Sequence, residues 1–271
     1  MYEEPYRWVE AVGNRRQYLD EQFKQGSPVV ALSYADGILL LTVSRGTPKL
    51  YEIYDRLGLG GMGHPADLEK LRFNLLEMAH VEGFNRSPSD VTGARLMKNG
   101  LAPIIKQAFE EIYKAPFIVK ILLAEVGLKP EKDTFLTINY DGTFEETAGW
   151  AVLAATPAVQ LDMSAYLKHE TGLASASLER AAGSALHAWA IGSMAQQRAE
   201  AEGDRDASKP DTLPVSPTTP DTAALFAHLR ETVVEKTIEC AVLERGAPGS
   251  SKYRALKADE LGRLLPPAMK G

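Results

Sequence analysis

A block of four short apolar segments near the start of the chain most constrains the fold. Between Ser27 and Gly63, runs rich in Val, Ile, Leu and Tyr alternate with short turn signals. Asp36-Gly37 is such a signal, because glycine tolerates the positive φ that tight hairpin turns need. The block therefore predicts four strands in direct succession, at 28–34, 38–44, 49–54 and 57–62.

Patterns typical of helices and strands alternate in pairs along the rest of the chain. Apolar residues at helical spacing predict helices at 5–25, 65–81, 90–114, 158–169, 175–197 and 258–265. Pro103 lies inside the third of these and is expected to bend it, because proline has no N–H to donate to the helix. Further strands are predicted at 117–126, 134–139, 150–155, 235–244 and 253–256.

This order of elements predicts the fold class. Strand hairpins alternate with helix pairs, whereas a parallel sheet would place single helices between its strands. We expect an α+β fold, a four-layer α-β-β-α sandwich in which helices flank two antiparallel sheets. The 271 residues are predicted to form a single domain. Its one insertion, at 199–223, has four prolines and few large apolar residues, which indicates a flexible surface loop.

Composition argues against several functional classes. The net charge of -6 disfavours a general nucleic-acid binder, which usually carries a basic face. The one cysteine, Cys240, cannot form an internal disulfide, and its apolar neighbours predict a buried strand position. No apolar run reaches the length of about 18 residues that a membrane span needs, and the first residues lack the order of a secretory signal, so we expect a cytoplasmic protein. The histidines lack metal-ligand spacing, so neither a metal site nor a cofactor is predicted.

Segments of distinctive sequence are spread over nearly the whole chain. They are SPVVALSYADGILLL and KLYEIYDRLGLGGMG in the strand block, DVTGARL at 90–96, Tyr140-Asp141-Gly142, and IECAVLERGAPGSSKYRAL at 238–256. Together these segments resemble proteasome subunits of the bacterial type, and most closely the α-type subunit. That family belongs to the N-terminal-nucleophile hydrolases, whose α-β-β-α sandwich agrees with the architecture predicted above.

The resemblance implies where a catalytic residue would stand. Active β-type subunits carry a threonine that is freed at the head of the first strand by cleavage after glycine, and its amine and hydroxyl act as base and nucleophile. An aspartate on strand two and a lysine on strand three support it. The matching positions here are Ser27 after Gly26, Val43 and Lys49. Val43 removes the charge partner of the lysine, Pro28 restricts Ser27 to extended conformations, and the preceding segment is predicted to be a folded helix; all three disfavour a catalytic Ser27.

The α-type interpretation implies a non-catalytic subunit that keeps residues 1–26, with its N-terminal helix closing the site that a β-type subunit opens. Copies of the chain would form a heptameric ring, stacked on β-type subunits, that admits unfolded protein substrates for ATP-dependent degradation. Met1, Tyr2, Glu3 and Glu4 would form a gate at the ring axis. Lys49 would lie in a pocket between neighbouring subunits that receives the C-terminal carboxylate of a hexameric AAA+ ATPase activator.

Two alternatives stay open. The chain could be a self-processing peptidase that cuts between Gly26 and Ser27 and uses Ser27 as its nucleophile. It could also be a divergent homologue that assembles with itself and has no β-type partner. For residues 1–4 the alternative to a gate is a frayed terminus, and for Lys49 it is a surface lysine on an edge strand.

Overall fold

The computed structural model describes residues 5–111, 113–203 and 222–266. Within these residues there are ten strands. They are β1 Val29–Tyr34, β2 Gly37–Ser44, β3 Leu50–Tyr54, β4 Leu57–Gly63, β5 Val119–Glu125, β6 Thr134–Ile138, β7 Phe144–Thr147, β8 Trp150–Leu153, β9 Thr237–Glu244 and β10 Tyr253–Ala255. The four strands expected at the start of the chain are all present, each within about one residue of its predicted position.

The strands form two five-stranded sheets in which every pairing is antiparallel. The first sheet has the order β10-β9-β2-β1-β8 and the second the order β3-β4-β5-β6-β7. β1 and β2 form the predicted hairpin, with Tyr34 opposite Gly37. Gly37 does not have a positive φ, so the predicted reason for this glycine is wrong. A Cβ there would lie 1.9 Å from the carbonyl oxygen of Leu243 in the adjacent strand β9, and this close approach requires glycine.

The described residues contain eight α-helices, and all except the first cover the outer faces of the sheets. They are α1 Pro5–Phe23, α2 Pro65–Asn85, α3 Gly93–Arg95, α4 Ala102–Glu110, α5 Pro157–His169, α6 Leu178–Gly203, α7 Thr222–Glu235 and α8 Ala258–Leu264. Residues of α2, α3 and α4 pack against the second sheet, and residues of α5 to α8 pack against the first. The predicted α-β-β-α sandwich is therefore confirmed. None of the described helices is both long and apolar enough to cross a membrane.

The apolar core lies in three layers because side chains of a strand point alternately to its two faces. In β1, Val30 and Leu32 face the helices of the first sheet, whereas Val29 and Ala31 face the second sheet. Helix α1 reaches the layer between the sheets through Leu19 and Phe23, both fully buried. The N-terminal helix is thus part of the central core.

The helix predicted at 90–114 is interrupted. A π-helical stretch, Leu96–Leu101, follows α3 and precedes α4, and the Ala102 N–H donates to the Met97 carbonyl five residues earlier. Pro103 is the second residue of α4. A proline ring clashes with the carbonyl of the residue four positions before it, and the wider π turn relieves that clash. The disturbance expected at Pro103 is thus a π-helical interruption of the helix.

The loop predicted at 199–223 is wrong at both of its ends. Helix α6 continues to Gly203, since Ala199 to Glu202 are strong helix formers, and α7 begins at Thr222. The sequence pattern predicts neither α7 nor β7; the latter is an exposed edge strand, so its polar residues give no apolar alternation. Residues 204–221 lie outside the described residues.

Candidate functional site

The three positions that the sequence singles out line one cavity of about 580 Å³. Ser27 lies two residues before the start of β1, Val43 is the second-last residue of β2, and Lys49 immediately precedes β3. Antiparallel pairing of Val29 with Thr42 brings the start of β1 beside the end of β2. The hairpin geometry therefore explains why residues 27 and 43 meet, as expected from the order of the strands.

The backbone of Lys49 is fixed by a contact between the two sheets. Its N–H donates to both carboxylate oxygens of Glu239 in β9, at 2.9 and 3.0 Å, and the Leu50 N–H donates to one of them at 2.8 Å. The Lys49 carbonyl accepts from the Gly61 N–H at 2.9 Å. Because its main chain is held on both sides, the side chain of Lys49 is presented to the cavity from a rigid support.

Positive charge collects around this cavity. Arg45, which follows β2, and Lys236, between α7 and β9, line it together with Lys49. Burial lowers the pKa of Lys49, the Glu239 carboxylate opposes that shift, and Lys236 adds to it. Glu200 is the acidic residue among those lining the cavity. An anionic group that enters the cavity would meet more positive than negative side chains.

Ser27 accepts a hydrogen bond on the wall of the cavity. Its Oγ accepts from the indole N–H of Trp189 at 3.2 Å. Trp189 is almost fully buried and stacks on His228 with ring centroids 6.4 Å apart. The Nε2 of His228 lies 2.9 Å from the Ser193 Oγ, and burial lowers the pKa of this histidine. The imidazole of His228 is therefore paired with the hydroxyl of Ser193.

These contacts do not form an activated nucleophile. A serine nucleophile needs a base within hydrogen-bond reach of its hydroxyl. In the described part of the chain, the hydrogen bond to the Ser27 Oγ comes from an N–H donor, and Val43, fully buried, offers no carboxylate to Lys49. The arrangement gives the cavity cationic groups, and Ser27 is joined to Gly26 through an amide, so the free amine that serves as the base of an N-terminal nucleophile is not formed in the uncleaved chain.

Helix α1 closes the space on the other side of Gly26. The Phe23 ring stacks on Tyr140 at 5.8 Å, and the Tyr140 hydroxyl donates to Asp20 at 2.7 Å. Lys120, which is buried, points its ammonium at the Phe23 ring from 4.8 Å. A Cβ on Gly26 would lie 2.9 Å from the Met62 side chain, so the backbone that follows α1 packs closely against Met62.

Curated relatives align over nearly the whole chain. A protein from Actinosynnema mirum named proteasome subunit alpha is 33% identical over 257 residues, which is 93% of this chain and 83% of that protein. The chain belongs to the proteasome α-subunit family. Proteins of the same name come from Kineococcus radiotolerans, with 32% identity covering 75% of this chain and 83% of the relative, and from Streptomyces griseus, with 26% identity covering 94% and 82%. No family model matches the chain.

Membership of the α-subunit family confirms the resemblance drawn from the motifs, and two of those motifs have structural roles away from the cavity. In the DVTG segment, the Thr92 side chain caps α3 and the Gly93 N–H donates to Glu125 at 2.8 Å. Tyr140 holds Asp20 of helix α1, as described above. Each motif thus contacts an element that is distant in the sequence, β5 through Glu125 and α1 through Asp20.

The sequence also singles out residues other than those of the cavity. The four gate residues, Met1, Tyr2, Glu3 and Glu4, lie outside the described residues. Cys240 is buried in β9, which confirms its predicted place in the core. Within the described ranges, no group of three or more His, Cys, Asp or Glu side chains is arranged to hold a metal ion.

Sequence reasoning missed several residues of the site. Glu239 could have been identified from the sequence, since a carboxylate inside an apolar strand indicates a specific partner. Lys236 lies at the start of the strand predicted at 235–244, but nothing local marks it as part of the cavity. Nothing local marks Trp189 as a partner of Ser27, because 162 residues separate them.

Proposed function

We propose that this chain is a non-catalytic subunit of the outer ring of a proteasome. Copies of it form a heptameric ring that stacks on β-type subunits and admits unfolded protein. Residues 1–4 act as the gate, and the cavity at Lys49 receives the C-terminal carboxylate of a hexameric AAA+ ATPase. This proposal goes further than membership of the α-subunit family, which fixes the kind of subunit and leaves the partners open.

One observation carries the docking assignment: Lys49 has a rigid backbone and faces an open cavity with two further cationic residues, Arg45 and Lys236. A lysine ammonium suits a terminal carboxylate because it is a compact cation with three donors. The hydroxyls of Ser27 and Ser193 line the same cavity and can hydrogen-bond the backbone of an entering chain end.

The packing of helix α1 supports the non-catalytic role. In a self-processing enzyme, everything before Ser27 would leave, and with it Leu19 and Phe23 of the central core. Their loss would open a large apolar surface between the sheets, and exposing such surface to water is unfavourable. A helix that belongs to the core is more consistent with a subunit that keeps it, and with a gate formed by the residues before it.

Lys49 substitution tests the proposal in the assembled complex. We expect Lys49→Met, which keeps most of the side-chain volume, to weaken binding of the ATP-bound hexameric ATPase by about tenfold or more, since a charge-assisted hydrogen bond contributes roughly 1.5–3 kcal/mol. Binding is measured by biolayer interferometry on the purified ring. Native mass spectrometry checks that the ring still assembles.

Lys168→Met is the matched control, because it removes the same charge from an exposed position on α5. It should leave ATPase affinity unchanged. Equal affinities of the Lys49 variant, the Lys168 variant and the unmodified ring would contradict the docking assignment.

A further inference from the structure

The cavity at Lys49 holds two cations that a single terminal carboxylate would leave unpaired. Arg45 is exposed at the end of β2, and Lys236 is half-buried where α7 meets β9. None of the ion pairs among residues 5–111, 113–203 and 222–266 includes Arg45, Lys49 or Lys236. In a chain with a net charge of -6, three such cations in one cavity are a local exception.

The nearby carboxylates offset this cluster only in part: Glu239 opposes the lowered pKa of Lys49, and burial still keeps that pKa below its usual value. Both oxygens of Glu239 accept backbone N–H groups from Lys49 and Leu50. Burial, followed by the charge of Arg45, lowers the pKa of Lys236 in spite of the opposing carboxylates of Glu235 and Glu200. A ligand that brings negative charge would therefore relieve a repulsion that exists in the free protein.

We propose that this cavity selects a chain end with two negative charges: a terminal carboxylate at Lys49, and an acidic side chain next to it that is held by Lys236 and Arg45. This inference rests on the proposed docking function and assigns the specificity of that site. A cavity of about 580 Å³ is large enough for the last residues of a flexible tail. Lys49 directly precedes β3 of one sheet and Lys236 directly precedes β9 of the other, so the two cations reach the cavity from different elements.

The test compares fluorescein-labelled eight-residue peptides that differ only near the C-terminus. One ends in Glu-Leu with a free carboxylate, the second in Gln-Leu with a free carboxylate, and the third in Glu-Leu-amide. Fluorescence anisotropy with the assembled ring gives each Kd. At low salt we expect the Glu peptide to bind about threefold to tenfold more tightly than the Gln peptide, and the preference to shrink as salt rises.

Variants of the cavity separate the two charges of the ligand. Lys236→Met and Arg45→Met should each reduce the preference for Glu over Gln, and the double variant should abolish it while the preference for free carboxylate over amide persists. Lys49→Met should remove the preference for free carboxylate over amide. Lys168→Met, the exposed control, should change neither preference.

The outcomes distinguish the two proposals. If the unmodified ring has the same affinity for the Glu and Gln peptides, including no measurable affinity for either, the selectivity proposal is wrong. If it discriminates Glu from Gln but binds acid and amide equally, the cavity binds anions and the docking of a terminal carboxylate fails. A preference for Glu that survives in the double variant would place the acidic side chain elsewhere.

Discussion

The two sides of the Gly26-Ser27 pair differ sharply. On the side of helix α1 the space is filled: Leu19 and Phe23 are fully buried between the sheets. On the side of the strand ends there is an open cavity of about 580 Å³ whose charged lining is mostly cationic. The polypeptide passes from one environment to the other within a few residues.

This difference separates structural stability from binding. An N-terminal nucleophile would require removal of the residues that fill the first side, and the amine freed at Ser27 would then act as its base. The filled side belongs to the core, and the open side offers cations and hydrogen-bond donors. We therefore expect α1 to contribute stability and, under the docking proposal, the cavity to bind a ligand, and each expectation can be tested separately.

Removal of the Phe23 ring from the filled side should cause the largest loss of unfolding free energy among the variants considered. Phe23 stacks on Tyr140 with an interplanar angle of 14° and also lies under the Lys120 ammonium. Phe23→Ala should lower the free energy of unfolding by about 3–5 kcal/mol, as for other buried phenylalanines. Urea unfolding at a fixed subunit concentration measures the change.

Tyr18→Ala is the control on the same helix, because Tyr18 is 50% exposed. Its expected effect is within about 0.5 kcal/mol. A Phe23 variant that loses no more stability than the Tyr18 variant would mean that α1 is not part of the core, and the comparison would fail.

How far the sequence predicts this molecule depends on the distance between interacting residues. The strand block and its sandwich follow from local alternation, and the meeting of Ser27, Val43 and Lys49 follows from the order of the strands. The course of α6 beyond residue 197 is missed because a Pro-rich stretch dominates the composition there, and helix α7, which begins at the end of that stretch, is not predicted either. The contacts of Lys120 and Trp189 join residues 34 and 162 positions away, respectively, and only the packed fold brings these groups together.

The contribution of buried Lys120 to the free energy of unfolding should depend on pH, which gives a second test of the filled side. This lysine of β5 lies beneath α1 and donates to the carbonyls of Ala154 and Ala155, each at 2.9 Å. Burial lowers its pKa from 10.5 to about 8, against the opposing charges of Asp20 and Asp141. Between these two values the unfolded chain binds the proton more tightly, so stability should rise with pH; below about 8 both states are protonated and the contribution stays constant.

The measurement compares the unmodified protein with Lys120→Met at pH 8 and at about pH 9.5. The unmodified protein should gain about 1.5 kcal/mol of unfolding free energy relative to the variant over this interval. Lys168→Met, at an exposed position, should keep the pH dependence of the unmodified protein. Parallel pH profiles of the unmodified and Lys120→Met proteins would show that the buried ammonium does not titrate in this range.

Ser27→Ala should have the smallest effect on stability, and it tests whether the chain is cut between Gly26 and Ser27. The Ser27 hydroxyl accepts one hydrogen bond, from Trp189 at 3.2 Å, so its loss should cost about 1 kcal/mol or less. Intact mass spectrometry of both proteins, purified with a β-type subunit, should find residues 5–26 retained in each. A mass that begins at Ser27 in the unmodified protein, with the full chain restored by the alanine, would establish self-cleavage. Helix α1 would then be a leader despite its buried contacts, and the cavity beside it would be an active site.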